Sequence, residues 1–234
     1  MLATWLCLLL LPHTAMAASF RELRMPIEGG GEMLYALLVP DGPPGVPRPL
    51  ILALHPGGER TRYYGEAYAR MMVAPAASEL VAIGAIIVAP DCPTRSWADA
   101  QSDRAVMALL DLVMRDHVVD RKRVLVTGYS MGGRGTWFMA SRHPEVFTAA
   151  IPMAASFGDE SVEDVVRRVT MPTYIIHSHA DEVVPFAPAE RAAKALEALG
   201  RPVKFEALWR YTHFEMGQYV PAFRNGMRWI ATRW

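Results

Sequence analysis

Charge of one sign is missing from this chain: 24 basic residues stand against 24 acidic ones in 234, a formal net charge of zero. That balance excludes a nucleic-acid binder working through bulk positive charge. Cysteine is scarce, with only Cys7 and Cys92. A lone Cys92, left once the apolar start is removed, cannot form an intrachain disulfide, so no disulfide scaffold is expected. In Pro90-Asp91-Cys92-Pro93 it has no basic neighbour or helix start to lower its pKa, which makes it a poor nucleophile candidate. Internal repeats and low-complexity tracts are absent too. With 52% hydrophobic residues, the composition excludes disorder and collagen-like or heptad-repeat chains.

The apolar run at residues 1–11 is shorter than the roughly 20 residues that span a bilayer. It is followed by Pro12 and Ala15-Met16-Ala17, an A-x-A pattern that reads as a secretory signal peptide cleaved between Ala17 and Ala18. No Lys or Arg precedes the run, and a buried or tethering segment is the alternative. Trp5 before Cys7 speaks against a lipid anchor there. The expectation is a secreted or periplasmic protein without a membrane anchor, made of a leader (1–17) and one domain (18–234).

Past the Pro- and Gly-rich loop at 40–47, short apolar runs recur at 50–54, 85–89, 124–127, 149–153, 173–176 and 203–207. Between most of them lie stretches of helical period, such as 103–115, 133–141 and 188–199. This alternation predicts an α/β fold with a mostly parallel twisted sheet and helices on both faces. Runs 23–27 and 33–39 flank Gly29-Gly30-Gly31 and predict an antiparallel hairpin at the sheet edge. Ligands of such sheets bind beyond the carboxyl ends of the strands, so the polar residues just after each run matter most.

Gly128-Tyr129-Ser130-Met131-Gly132 is G-x-S-x-G, between an apolar run and a helical stretch. That context turns a frequent chance motif into a specific one: a sharp strand-to-helix turn exposes the serine hydroxyl. A serine is a weak nucleophile until a histidine takes its proton and an acid orients the histidine. Asp181 follows the run 173–176 and His213 follows 203–207, in the order this architecture uses. Glu182 is the rival acid and Asp159 a distant third. His177 and His179 form H-x-H, a spacing that can chelate metal, but no third ligand has recognisable spacing; packing around Asp181 is their expected role, with no metal and no cofactor. For the oxyanion, the backbone N–H of Met131 is one expected donor. Pro56 has no N–H, so in His55-Pro56-Gly57-Gly58 the other is Gly57, with Gly58 second; a simple tight turn is the alternative. Trp97, Gly58 and Tyr129 are candidates for substrate binding.

These residues resemble the α/β-hydrolase superfamily. More narrowly they resemble small secreted esterases often labelled predicted peptidases, related to polyhydroxybutyrate-depolymerase-like and phospholipase/carboxylesterase-like hydrolases. The likeness runs from about Leu50 to Trp229 and rests on His55-Pro56-Gly57-Gly58-Glu59-Arg60, Ala89-Pro90-Asp91-Cys92-Pro93, the elbow through Trp137, His143-Pro144-Glu145-Val146-Phe147, Asp181-Glu182-Val183-Val184-Pro185 and His213. It implies Ser130 as nucleophile, Asp181 as acid and His213 as base. Pro56, Ser178 and Thr212 stand where glycine is usual, and Phe214-Glu215 replaces an acidic-then-small pair. The expected function is a carboxylesterase acting through an acyl-enzyme on a small or polymer-borne ester. A peptidase or thioesterase is the alternative, with a non-catalytic binding module behind. The connection between Met153 and Met171 is too short for a large lid, which favours short-chain or accessible esters.

Overall fold

The computed structural model describes residues 19–59 and 61–234, so the leader and its cleavage point lie outside the described residues. Its strands are β1 (Arg21–Pro26), β2 (Glu32–Leu38), β3 (Arg48–Leu54), β4 (Ile86–Pro90), β5 (Val119–Tyr129), β6 (Ala149–Met153), β7 (Thr173–Ser178) and β8 (Val203–Leu208). They form one sheet in the order β1-β2-β4-β3-β5-β6-β7-β8. β2 runs antiparallel to β1 and to β4, and every pairing from β4 to β8 is parallel. The expected hairpin is therefore the edge of a parallel sheet.

The helices divide between the two faces for a reason visible in β3. Leu50, Leu52 and Leu54 point into one core and Ile51 and Ala53 into the other, all fully buried. Alternation by two sends successive side chains to opposite faces, so a strand covered on both sides must be apolar throughout. On the first face lie α4 (Ala100–Asp116), α5 (Met131–Arg142), α6 (Val162–Arg168) and α7 (Phe186–Ala198), through residues such as Leu109, Trp137, Val165 and Leu196. The second is covered by α1 (Tyr64–Tyr68), α2 (Ala74–Ala76), α3 (Ser78–Ala82) and α8 (Val220–Ala231), with Tyr68, Leu80, Phe223, Met227 and Ile230 turned inward. Each such side chain contributes about 1.5–3 kcal/mol by leaving water.

Register sets out the site. Leu54, the last residue of β3, pairs with Gly128 near the end of β5. Ser178 pairs with Leu208 at the ends of β7 and β8. The loops after these four strands consequently open at one end of the sheet. Between β6 and β7 the cover is one seven-residue helix, α6.

Candidate active site

Ser130 alone separates β5 from α5 and holds φ 54°, ψ −113°. A side chain held at such angles costs about 1–3 kcal/mol and persists only where its surroundings fix it. Its N–H donates to the Met153 carbonyl at 2.9 Å. On either side the backbone has no room: a Cβ at Gly132 would land within the Leu54 carbonyl, and one at Gly128 within the carbonyl of Gly132. The two glycines of the motif thus let helix, strand and neighbouring β3 close around the serine.

Asp181 lies in the turn after β7. Its Oδ1 accepts the N–H groups of Val183 (3.0 Å) and Val184 (2.8 Å), which fixes the carboxylate, and the side chain is fully buried. His213 follows β8. Its Nδ1 donates to Asp181 at 2.8 Å to Oδ2 and 3.0 Å to Oδ1, and its Nε2 accepts from the Ser130 hydroxyl at 2.8 Å. Acid, imidazole and hydroxyl form one continuous line of hydrogen bonds, an arrangement able to withdraw the serine proton as the oxygen attacks.

The backbone of His213 is gripped as firmly as its ring. Its N–H donates to Glu182 Oε2 at 3.0 Å, and its carbonyl accepts from the Tyr129 hydroxyl at 2.8 Å. The loop is closed by Glu215, whose Oε2 accepts from Thr212 N (2.8 Å) and Oγ1 (3.0 Å). Burial pushes the Tyr129 phenol well above its ordinary pKa and Tyr219, packed edge-on against it, up to about 12. Tyr129 therefore stays protonated and able to donate.

Behind Asp181 lies His177, fully buried on β7. Its Nε2 donates to the Val184 carbonyl at 3.0 Å and stands 3.4 Å from Asp181 Oδ2. Burial lowers its pKa, opposed by the Val184 hydrogen bond and by the charge of Asp181. His179, two residues on, points elsewhere, stacked between the rings of Phe186 and Trp209.

Met131 opens α5, where N–H groups have no partner within the helix. A Cβ built at Gly57 would sit 3.7 Å from that of Met131, so the two backbones face each other beside the serine. His55 anchors the loop: its Nδ1 donates to the Pro56 carbonyl at 2.7 Å, and its Nε2 accepts the Cys92 N–H at 3.0 Å.

Around Ser130 and His213 opens a cleft of about 340 Å³, lined by Gly57, Gly58, Tyr129, Val183, Phe214 and Met216 among others. Of the candidates for substrate binding, Gly58 and Tyr129 line this cleft, although the Tyr129 hydroxyl is committed to His213. Trp97 does not line the cleft. It is fully buried, its Nε1 donates to the His55 carbonyl at 2.9 Å, and its Cβ lies over Gly135. The loop carrying it folds inward beneath the loop that follows β3, where an indole finds both an apolar bed and an acceptor. Sequence reasoning missed the mouth residues Val183 and Met216 and the part Glu182 plays. Phe214 carried a signal, as a departure from the family pattern beside His213. Clefts of similar size near Arg48 and near Arg134 have no serine–histidine pair.

A model of the dienelactone hydrolase family matches residues 88–213. The chain is 32% identical over 108 residues to cutinase est1 of Thermobifida alba, a match covering 44% of this chain and 35% of the cutinase. Among solved structures, a thermostable esterase superposes with a TM-score of 0.76 at 27% identity, over 91% of this chain and 62% of that one. A fluorophosphonate-binding serine hydrolase of Staphylococcus aureus, at 15% identity, shares the fold with a TM-score of 0.72 over 91% and 98%. The matched stretch spans about a third of the cutinase's length. Among the described residues no helix is long and apolar enough to cross a membrane.

Proposed function

The chain belongs to the dienelactone hydrolase family of α/β-hydrolases, and from that premise we propose that it is a serine hydrolase of carboxylic esters. The observation that carries this reading is the line Asp181–His213–Ser130, with both hydrogen bonds at 2.8 Å and the serine on a strained elbow. Ser130 attacks the ester carbonyl while His213 takes its proton. The oxyanion lies between the N–H groups of Met131 and Gly57, and its stabilisation by such donors supplies several kcal/mol of the barrier reduction. His213 protonates the leaving alcohol, then activates the water that releases the acid, while Asp181 holds the imidazole in the tautomer both steps need.

The short α6 connection favours short-chain or otherwise accessible esters, whether small or borne on a polymer, since little protein covers a long acyl chain. The same proposal takes residues 1–17 as a leader and the mature protein as exported, beginning near Ala18.

The deciding experiment pairs Ser130→Ala with wild type in p-nitrophenyl acetate hydrolysis and fluorophosphonate labelling. The variant is expected to lose about 10⁶ in kcat and all labelling while remaining folded. Retention of a tenth of wild-type activity would reject Ser130 as nucleophile.

A further inference from the structure

We propose that the cleft beside Ser130 selects neutral esters bearing an aromatic ring, held against Phe214 and Val183, and turns away esters that carry a carboxylate. This rests on the ester-hydrolase reading and adds to it the class of substrate.

The first observation is the exposure of the mouth. Phe214 is 80% exposed and Val183 51%, yet both line the cleft. Neither position is loose. The N–H of Val183 is bonded to Asp181, and Phe214 sits inside the Thr212–Glu215 closure. Large apolar side chains held out in water next to both partners of the serine contribute little to folding. Their burial free energy is realised only when something covers them. Phe214 stands edge-on to the His213 ring, with centroids 5.9 Å apart at 85°, which places an aromatic platform directly beside the reacting atoms. A ring on the substrate gains on such a platform beyond its area alone.

The second observation is the sign of the charge. Glu182 Oε2 accepts the backbone N–H of His213, and Glu215, with Arg210 as its nearest cationic influence, closes the same loop immediately before the helical turn at Met216–Tyr219 that leads into α8. Asp181 sits behind them, and burial opposes a charge on its other neighbour, His177. Among the described residues lining the cleft there is no Lys or Arg. Sites that recognise a carboxylate meet it with guanidinium or ammonium donors. A carboxylate brought into this cleft would give up water with no Lys or Arg among the described lining residues to receive it, beside the loop that Glu182 and Glu215 hold in place.

The test compares methyl p-nitrophenyl adipate with p-nitrophenyl hydrogen adipate, which share acyl chain and leaving group and differ by one charge. The neutral diester is expected to have a kcat/KM at least about ten-fold higher, with the gap narrowing as salt is raised. In a second arm, Phe214→Ala is expected to raise the KM for benzyl butyrate about five-fold more than that for methyl butyrate. Equal or faster turnover of the charged adipate would overturn the proposal, as would an equal effect of Phe214→Ala on both butyrates. Fluorophosphonate labelling of Ser130 separates the two layers. A labelled enzyme without charge discrimination rejects the substrate class alone, whereas no labelling and no turnover rejects the hydrolase reading and this inference with it.

Discussion

The hydroxyl of Tyr129 donates a 2.8 Å hydrogen bond to the carbonyl oxygen of His213, joining the residue before the serine to the histidine that faces it. Across 84 positions of sequence, the strand bearing one partner thereby sets the height of the loop bearing the other. Tyr129→Phe keeps the buried ring and removes only that bond, worth about 1 kcal/mol. The expected result is a kcat lower by about five- to ten-fold on a p-nitrophenyl ester with KM little changed. An unchanged kcat would mean that the His213 loop holds its place without Tyr129.

Two adjacent acids serve His213 in different ways, and substitution separates them. Asp181→Asn is expected to cost about 10⁴ in kcat by setting the wrong tautomer of the imidazole. Glu182 accepts a backbone N–H, a task that an amide oxygen performs as well, so Glu182→Gln should cost far less. Glu182→Ala, which leaves that N–H without its acceptor, should fall between the two. Steady-state kinetics of the three variants read the order directly. A Glu182→Gln loss matching that of Asp181→Asn would make Glu182 the orienting acid.

The elbow stores strain, and its release is measurable. With φ at 54°, Ser130 occupies angles that suit glycine. Ser130→Gly should abolish ester cleavage as Ser130→Ala does, yet unfold at a higher temperature than the alanine variant. A gain of about 1 kcal/mol corresponds to roughly 2–4 °C in a chain of this size. Equal Tm values for the two variants would show the turn to be unstrained.

Stability should also report on His177. Burial lowers its pKa from the ordinary 6.5, so the folded protein resists protonating it while the unfolded chain does not. Its contribution is then fully present above about pH 6.5 and is lost as the pH falls below that value. Thermal unfolding between pH 8 and pH 5 is expected to show a smaller acid-side fall in Tm for His177→Gln than for wild type. Parallel curves would remove His177 from the account.

Much of this architecture was legible because the sheet is covered on both faces. Runs such as 50–54 and 149–153 have no polar position to spare, and Ser130, Asp181 and His213, which the structure brings into one line of hydrogen bonds, each follow such a run. The elbow was legible for a related reason, since Gly128 and Gly132 answer to backbone crowding that any fold of this type produces. The helices at 64–82 were harder to read. Pro75 and the π-turn at Ala69–Val73 interrupt their period, and what they cover is decided by the sheet. Trp97 misled because an aromatic residue in a loop past a strand reads equally as pocket wall or as core. Its full burial, its packing over Gly135 and its bond to the His55 carbonyl distinguish them. The grip of Glu182 on a backbone N–H thirty-one residues away has no sequence pattern at all.

The contact of Gly132 with the carbonyls of Leu54 and His55 has a thermal consequence. Because α5 and the end of β3 touch backbone to backbone, Met131 and the loop that carries Gly57 are held close on either side of that contact. Such a contact resists local opening on heating, so any ester turnover should persist until the sheet itself melts, with inactivation and unfolding at one temperature.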